Sequence, residues 1–266
     1  MPHSYDTPIR WTQAEEQILI ANYGVLTYQQ MADLLPGRTW MAVRNHANTL
    51  DITSTSNLGR KYCANKEFFA VPNMLNSYWA GFLAADGNIR PHRKRISVKL
   101  HIKDASHLEK FREALEYTGK VYRYEKDASL EIACPEMADD LVRNFNVTPK
   151  KSFTLEPPFL TDEDMICAFI VGLIDGDGSI TIKDAIRHYP RIAIYGTQAI
   201  LKWVQTYFDK WSPITNYKRS EVCFVPQHNL YAYRIGATRA INMGKKLMQP
   251  DLPRLERKWN VLRSCF

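Results

Sequence analysis

The sequence predicts an α+β protein in which one structural unit occurs twice, preceded by a small all-α domain of three helices. Three observations predict it. The stretches Tyr78-Trp79-Ala80-Gly81-Phe82-Leu83-Ala84-Ala85-Asp86-Gly87 and Ile170-Val171-Gly172-Leu173-Ile174-Asp175-Gly176-Asp177-Gly178-Ser179-Ile180 repeat one pattern 91 positions apart, each an apolar run ending in Asp-Gly. Segments of alternating apolar and polar residues follow each copy, which is the period of a half-buried strand. The first fifty residues hold three short helical segments with their own start and stop signals.

The helical segments come first in the chain. Thr12-Gln13-Ala14-Glu15 is a capping box that opens a helix carrying Ile18, Leu19 and Tyr23. A second helix fits Thr27 to Leu35. Pro36-Gly37 breaks it, and a cap at Thr39 starts a third, whose Val43, Ala47 and Leu50 face inward while Arg44, Asn45, His46 and Asn48 face out. Three short helices with a tight last turn form a helix-turn-helix, expected over residues 1–52, with Trp11 as a core residue. Residues 53–76 are polar and mixed, with Ser54-Thr55-Ser56-Asn57 and Gly59-Arg60-Lys61, and read as a linker.

The repeats are expected over residues 77–160 and 161–266. Ser77 and Thr161 are candidate N-caps, and a glycine stops each helix directly after its aspartate. Gly81 with Ala85, and Gly172 with Gly176, place small residues at i, i+4 on one helix face, which allows two backbones to approach closely. If these faces pack, Asp86 and Asp177 meet. From Ile96 to Lys103 the alternation puts Ile96, Val98, Leu100 and Ile102 toward a core and Ser97, Lys99, His101 and Lys103 outward. The second copy offers Ile180–Lys183 and Arg191–Tyr195, with Arg187 and His188 between them. Helices are expected at Ser106–Tyr117 and Gln198–Trp211, and shorter strands near Val121–Tyr124, Ser129–Cys134, Glu221–Val225 and Leu230–Ile235. Each repeat therefore reads as helix, two strands, helix, two strands, helix.

Composition bounds the function. With 266 residues, 45% of them hydrophobic, the chain can bury a substantial core. No apolar run approaches the ~20 residues that span a bilayer, and no basic segment precedes an apolar one at the N-terminus. Cys63, Cys134, Cys167, Cys223 and Cys265 are scattered without zinc spacing, as expected of reduced thiols in an intracellular protein. The net charge of +7 is uneven: residues 166–266 carry fifteen Lys/Arg against seven Asp/Glu, whereas residues 1–75 carry six of each. Six bases, Arg90, Arg93, Lys94, Arg95, Lys99 and Lys103, fall in one stretch without an acid. Beside paired aspartate helices, that segregation favours nucleic acid as the partner.

Paired carboxylates also suit phosphodiester hydrolysis. The reaction needs a hydroxide nucleophile and neutralisation of charge on phosphate oxygens, and divalent metals supply both. Mg²⁺ takes only one or two carboxylates and keeps several waters, so Asp86 and Asp177 are sufficient protein ligation. Without a cation they would repel each other.

On its two Asp-Gly motifs the chain, from about Ser77 to the C-terminus, resembles the LAGLIDADG homing endonucleases of the single-chain, two-motif type. The resemblance implies two αββαββα units whose antiparallel sheets form a saddle over double-stranded DNA, and a monomeric, site-specific endonuclease using Mg²⁺ or Mn²⁺. It implies Asp86 and Asp177 as metal ligands, with the main-chain carbonyls of Ala85 and Gly176 beside them. It also implies one basic residue per half, for which Lys151 and Lys258 are the candidates, and a water-positioning side chain at Gln198, where the first repeat has Asp104. Ala84 departs from the pattern, standing where the second copy has Asp175; two unequal half-sites are expected. The first domain, through Trp11-Thr12, Glu15-Glu16, Met31-Ala32 and Leu35-Pro36-Gly37-Arg38-Thr39, resembles a Myb/SANT-type repeat, with Arg38, Arg44 and Asn45 as its DNA contacts. On the repeats, Arg93, Arg95, Lys99, Lys103, Lys183, Arg187 and Arg191 are the expected DNA-binding side chains. An RNA-splicing maturase or a non-cleaving DNA-binding regulator on the same scaffold is the alternative. The sequence leaves open whether the gene lies in an intron, beside an intein or alone, and which compartment holds the protein.

Overall fold

Threonine hydroxyls start all three N-terminal helices. In a computed structural model of the protein, which describes residues 10–23, 26–50, 62–90, 95–184, 189–213 and 220–265, these are α1 (Gln13–Asn22), α2 (Tyr28–Asp33) and α3 (Trp40–Thr49). Thr12, Thr27 and Thr39 each accept the amide three residues on, with reciprocal capping boxes at the first two. Leu19, Met31, Leu35, Val43 and Ala47 are sealed from solvent between the helices, with Trp11 and Leu50 packed partly buried against them. Burying these side chains is what holds so small a unit together.

The chain divides into two compact units, Met1–Cys63 and Ala64–Phe266. This boundary corrects the expected linker. Residues 53–61 lie outside the described residues, but 64–76 fold onto the first repeat: Phe69 is fully buried against Phe145, and Asn144 donates to the carbonyls of Phe69 and Ala70. Polar composition concealed one aromatic anchor.

The second unit is α+β and contains the repeat twice. The first copy runs α4 (Met74–Asp86), β1 (Gly87–Arg90), β2 (Arg95–His101), α5 (Ala105–Ala114), β3 (Tyr122–Arg123), β4 (Asp127–Ala133) and α6 (Pro135–Phe145). The second runs α7 (Glu163–Asp177), β5 (Gly178–Asp184), β6 (Tyr189–Gly196), α8 (Gln198–Trp211), β7 (Cys223–Val225), β8 (Leu230–Gly236) and α9 (Ala237–Met248), with α10 (Glu256–Arg263) added at the end. Two antiparallel sheets result, ordered β1-β2-β4-β3 and β5-β6-β8-β7, the same topology in each repeat. Ile96, Val98 and Leu100 point into the core as expected, but the strand ends at His101, and Ile102 and Lys103 belong to a 3-10 turn.

Helix starts differ from the expected caps. Asn73 caps α4 through a reciprocal box with Asn76, so Ser77 lies buried inside the helix. Asp162, not Thr161, caps α7 by accepting two amides, and α5 begins at Ala105 without a side-chain cap. Asparagine and aspartate cap as well as serine or threonine, and the helices take the earlier or nearer acceptor. Gly87 and Gly178 do end their helices, but in extended rather than left-handed backbone, passing directly into β1 and β5. A side chain at either would strike the carbonyl oxygen four residues back.

Helices α4 and α7 pack against each other through their small residues. A Cβ built on Gly81 would lie 2.0 Å from the Phe169 carbonyl oxygen, and one on Gly172 would lie 2.0 Å from that of Tyr78. A Cβ on Gly176 would meet the Ala85 side chain, at 2.2 Å from its methyl carbon. Backbone contact on this scale requires glycine, and it brings the C-terminal ends of the two helices side by side.

Candidate active site at the paired helix ends

Asp86 and Asp177 are the last residues of α4 and α7. Glycine contact along the helices brings the two carboxylates together. Both remain open to solvent on one side, yet enough protein surrounds them to disfavour charge. Burial, and then the repulsion of Asp86, pushes Asp177 up to about 6, against the opposing pull of Lys151 and Lys258. Asp86 is also raised, by burial first, while Lys258 and Lys151 oppose the shift.

Each predicted lysine is present, buried, and seated on its own motif's backbone. Lys151 stands in a 3-10 turn, Lys151–Phe153, which the left-handed backbone of Lys150 (φ 58°) turns toward the site. Its Nζ donates to the carbonyls of Ala85 (3.3 Å) and Gly87 (2.5 Å). Lys258, in the first turn of α10, lies within 3.0 Å of four: Ile174 (3.0 Å), Asp175 (2.5 Å), Gly176 (3.0 Å) and Gly178 (2.8 Å). Burial lowers both ammonium groups from the usual lysine range. Lys151 is held charged by Asp177 of the other motif and then by Asp86, whereas Lys258 is held by Asp175 of its own motif first and Asp86 after it.

Two features were not legible in the sequence. Arg257 forms a two-pronged ion pair with the buried Asp104 (Nε–Oδ1 2.7 Å, Nη2–Oδ2 2.6 Å), and it holds Asp104 below the usual carboxylate range. Asp175, on the buried side of α7, accepts from the Tyr78 hydroxyl, the Leu255 amide and the Trp259 indole. Both partnerships link positions far apart in the chain, and sequence spacing carries no signal for them.

A divalent cation fits this donor set. Burial, and at Asp177 the repulsion of Asp86, hold both carboxylates above the usual carboxylate range despite Lys151 and Lys258, a cost that a bound cation would relieve. No group of three or more His, Cys, Asp or Glu side chains with metal-site geometry occurs among the described residues. Protein ligation here would rest on Asp86, Asp177 and the carbonyls of Ala85 and Gly176. A carbonyl oxygen has two lone pairs, so a lysine on one of them does not exclude a second partner.

The remaining predicted residues fall in several places. Gln198 opens α8 as an exposed side chain. Lys99 and Lys103 are exposed and Arg95 half-exposed, but Lys99 pairs with Asp127 (2.6 Å) and Arg95 with Glu131 (3.2 Å) across the β2–β4 ladder. The cationic face is thus partly compensated, through solvent-exposed pairs that are worth little and exchange readily. Arg191 is half-exposed on β6, and Arg234, which the sequence reading passed over, lies with its guanidinium over the Tyr195 ring. Arg93 and Arg187 lie outside the described residues, as does the side chain of Lys183.

In the N-terminal unit, Arg44 and Asn45 are exposed on α3. Arg38 corrects its prediction. Its guanidinium grips Glu15 (2.7 and 3.0 Å), donates to the Arg10 carbonyl and stacks 4.3 Å from the centre of the Trp11 ring, with 8% of its side chain exposed. It braces the fold and is not presented to a base. On the other side of Trp11 the His46 ring is stacked parallel at 4.1 Å and bonded to Glu16.

Comparison with known proteins gives structural neighbours alone, since neither a protein-family model nor a curated protein sequence matches the chain. Among the solved structures, mesophilic variants of the homing endonuclease I-DmoI are 15% identical over 75% of this chain and 99% of theirs, with a TM-score of 0.47. The LAGLIDADG homing endonuclease I-GzeII in complex with its DNA target is 10% identical over 72% and 88%, at 0.48. The meganuclease I-SmaMI bound to uncleavable DNA is 10% identical over 71% and 87%, at 0.47. Among the described residues, no helix is long and apolar enough to cross a membrane.

Proposed function

We propose that the protein is a site-specific double-strand DNA endonuclease of the LAGLIDADG type, acting as a monomer with a divalent cation, Mg²⁺ or Mn²⁺, held by Asp86 and Asp177. One observation carries the reading: two carboxylates are forced together at glycine-packed helix ends, with a buried lysine beside each. A structural role alone would not place two like charges there.

A bound divalent cation would supply a hydroxide at neutral pH and neutralise charge on the phosphate. The chain's own residues do the rest. Asp86 and Asp177 would hold the cation, one carboxylate from each motif. Lys151, with two carbonyl partners for three N–H groups, has a donor left to direct at a phosphate oxygen. Lys258 has more carbonyls within reach than protons to give, and it must release one to do the same. Gln198 is proposed to orient water in the second half, with Asp104 in the corresponding place already engaged by Arg257.

The open faces of the two sheets, with Lys99, His101, Arg95, Arg191 and Arg234, are proposed to lie along the duplex; their weak ion pairs would exchange for phosphates. The trihelical unit is proposed as a Myb-like accessory reader, with Arg44 and Asn45 of α3 in the major groove. Tethering it raises its effective concentration near the cut site.

Incubation with a randomised duplex library in Mg²⁺ and in EDTA tests the proposal. Cleavage at one enriched sequence, abolished by EDTA, is expected. Duplex binding without cleavage would instead indicate a regulator, and preference for structured RNA a maturase.

A further inference from the structure

The two motif copies differ at Ala84 and Asp175, and the difference has a structural consequence at the lysines. We infer that Asp175 is a positioning residue that fixes Lys258 in the second half of the paired-aspartate site, a task the first half performs for Lys151 with a backbone turn. The part of this inference that concerns cleavage rests on the endonuclease reading.

Asp175 is 1% exposed, and both of its oxygens are used. Oδ2 accepts from the Leu255 amide (3.0 Å) and the Tyr78 hydroxyl (2.7 Å), and Oδ1 accepts from the Trp259 indole (2.6 Å). Leu255 is the N-cap residue of α10 and makes no side-chain cap bond. The carboxylate of Asp175 therefore captures the start of α10 from outside the helix, where negative charge also meets the positive end of the helix dipole. Trp259 lies four residues further on and is fully buried. These two bonds bracket Lys258. The ammonium of Lys258 then returns to the Asp175 carbonyl and its neighbours on α7, closing a ring of contacts between α7 and α10.

The clamp extends into the other repeat. The Tyr78 hydroxyl, on α4, has one proton and two acceptors, Asp175 Oδ2 (2.7 Å) and the Pro253 carbonyl (3.0 Å), so toward the His107 ring at 2.9 Å its oxygen accepts, and His107 offers its Nε2–H. The chain from His107 through Tyr78 to Asp175 ties α5 and α4 to α10. Among the described residues the first half has no carboxylate in the corresponding place. Ala84 brings no polar group, and Lys151 depends on the left-handed residue before it and on two carbonyls.

Asp175→Asn has nearly the same size but turns an amide NH₂ toward the Trp259 indole or toward the Leu255 amide, whichever way it is flipped. The test is lysine labelling in the full-length protein, with an amine-reactive reagent and mass spectrometry, using exposed Lys150 as reference. In the native protein Lys151 and Lys258 are both protected. Asp175→Asn should raise labelling of Lys258 about tenfold, through local opening of α10, and leave Lys151 within about twofold. Trp259→Phe, which removes one donor and keeps the ring, should raise it about threefold, and serves if the first variant fails to fold.

On the duplex that the native protein cuts, Asp175→Asn and Lys258→Met should slow the same strand, and Lys151→Met the other. Adding Trp259→Phe to Asp175→Asn removes the opposing donor and should restore part of that strand's rate. Unchanged Lys258 labelling in folded variants, equal exposure of both lysines, or equal slowing of both strands would overturn the inference. A native protein that cuts no duplex would overturn the endonuclease reading, while the labelling still decides the role of Asp175.

Discussion

Replacing Asp177 with asparagine should stabilise the protein while abolishing its activity. Asp177 is raised from 3.8 to about 6, by burial and then by Asp86. Between these values the folded chain holds a proton that the unfolded chain has released, so stability falls as pH rises through that window and stays lower above it. Taken at face value the shift corresponds to about 3 kcal/mol. The carboxylate is open to solvent on one side, however, and screening reduces the effect to about 1 kcal/mol. Asp177→Asn removes this cost because an amide has no charge to bury. Thermal unfolding in EDTA should show the transition of the 64–266 unit raised by about 2–4 °C at pH 7.5. Below pH 4 the native carboxyl is protonated, and the difference should vanish. Adding Mg²⁺ should reverse the order, since a cation that binds the folded pair stabilises the native protein alone. A destabilised Asp177→Asn at pH 7.5, or a difference independent of pH, would refute the reasoning.

Other outcomes follow from the packing and the surface. Gly172→Ala drives a methyl group into the Tyr78 carbonyl, so α4 and α7 must separate; urea unfolding should show a loss of about 1–3 kcal/mol, and cleavage should fall further than stability. Arg95→Ala and Lys99→Ala should each cost under ~0.5 kcal/mol in stability, while reducing the salt dependence of duplex binding by about one unit of slope. Arg38→Ala should lower the unfolding temperature of the N-terminal unit, since it removes the ion-pair partner of Glu15 and uncovers one face of Trp11. Arg44→Ala and Asn45→Ala should leave stability within about 0.5 kcal/mol and weaken duplex binding without slowing single-turnover cleavage.

How much of this the sequence could announce depended on the range of the interaction involved. The capping box at Thr12, the cap at Thr39, the alternation of Ile96, Val98 and Leu100, and the span of α8 from Gln198 to Trp211 are local, and the structure reproduces them. The close approach of α4 and α7 is long-range, yet it was legible because small residues at i, i+4 occurred in both copies, as Gly81 with Ala85 and as Gly172 with Gly176. Failures came where a residue had two defensible roles. Ser77 could cap, but Asn73 paired with Asn76 caps one turn earlier. Arg38 in a helix-turn-helix suggests a phosphate or base contact, and only the placement of Glu15 and Trp11 across the bundle shows that it is already occupied. The polar stretch before Met74 reads as linker until Phe69 is seen in its pocket against Phe145. In the site, Asp86 and Asp177 stand where the motifs put them, and Lys151 and Lys258 join them. Asp175 with Trp259, and Asp104 with Arg257, could not be anticipated, because each joins segments that only the tertiary fold brings together.

The central claim is that Asp86 and Asp177 act as one cation-binding pair serving both strands. Strand-resolved single-turnover cleavage of the identified target in Mg²⁺ tests it most directly, with the native protein, Asp86→Asn and Asp177→Asn compared. Loss of cleavage on both strands by at least about a thousandfold in either variant is predicted, a magnitude ordinary for removal of a group that stabilises transition-state charge. A variant that still cuts either strand at the native rate would contradict the account.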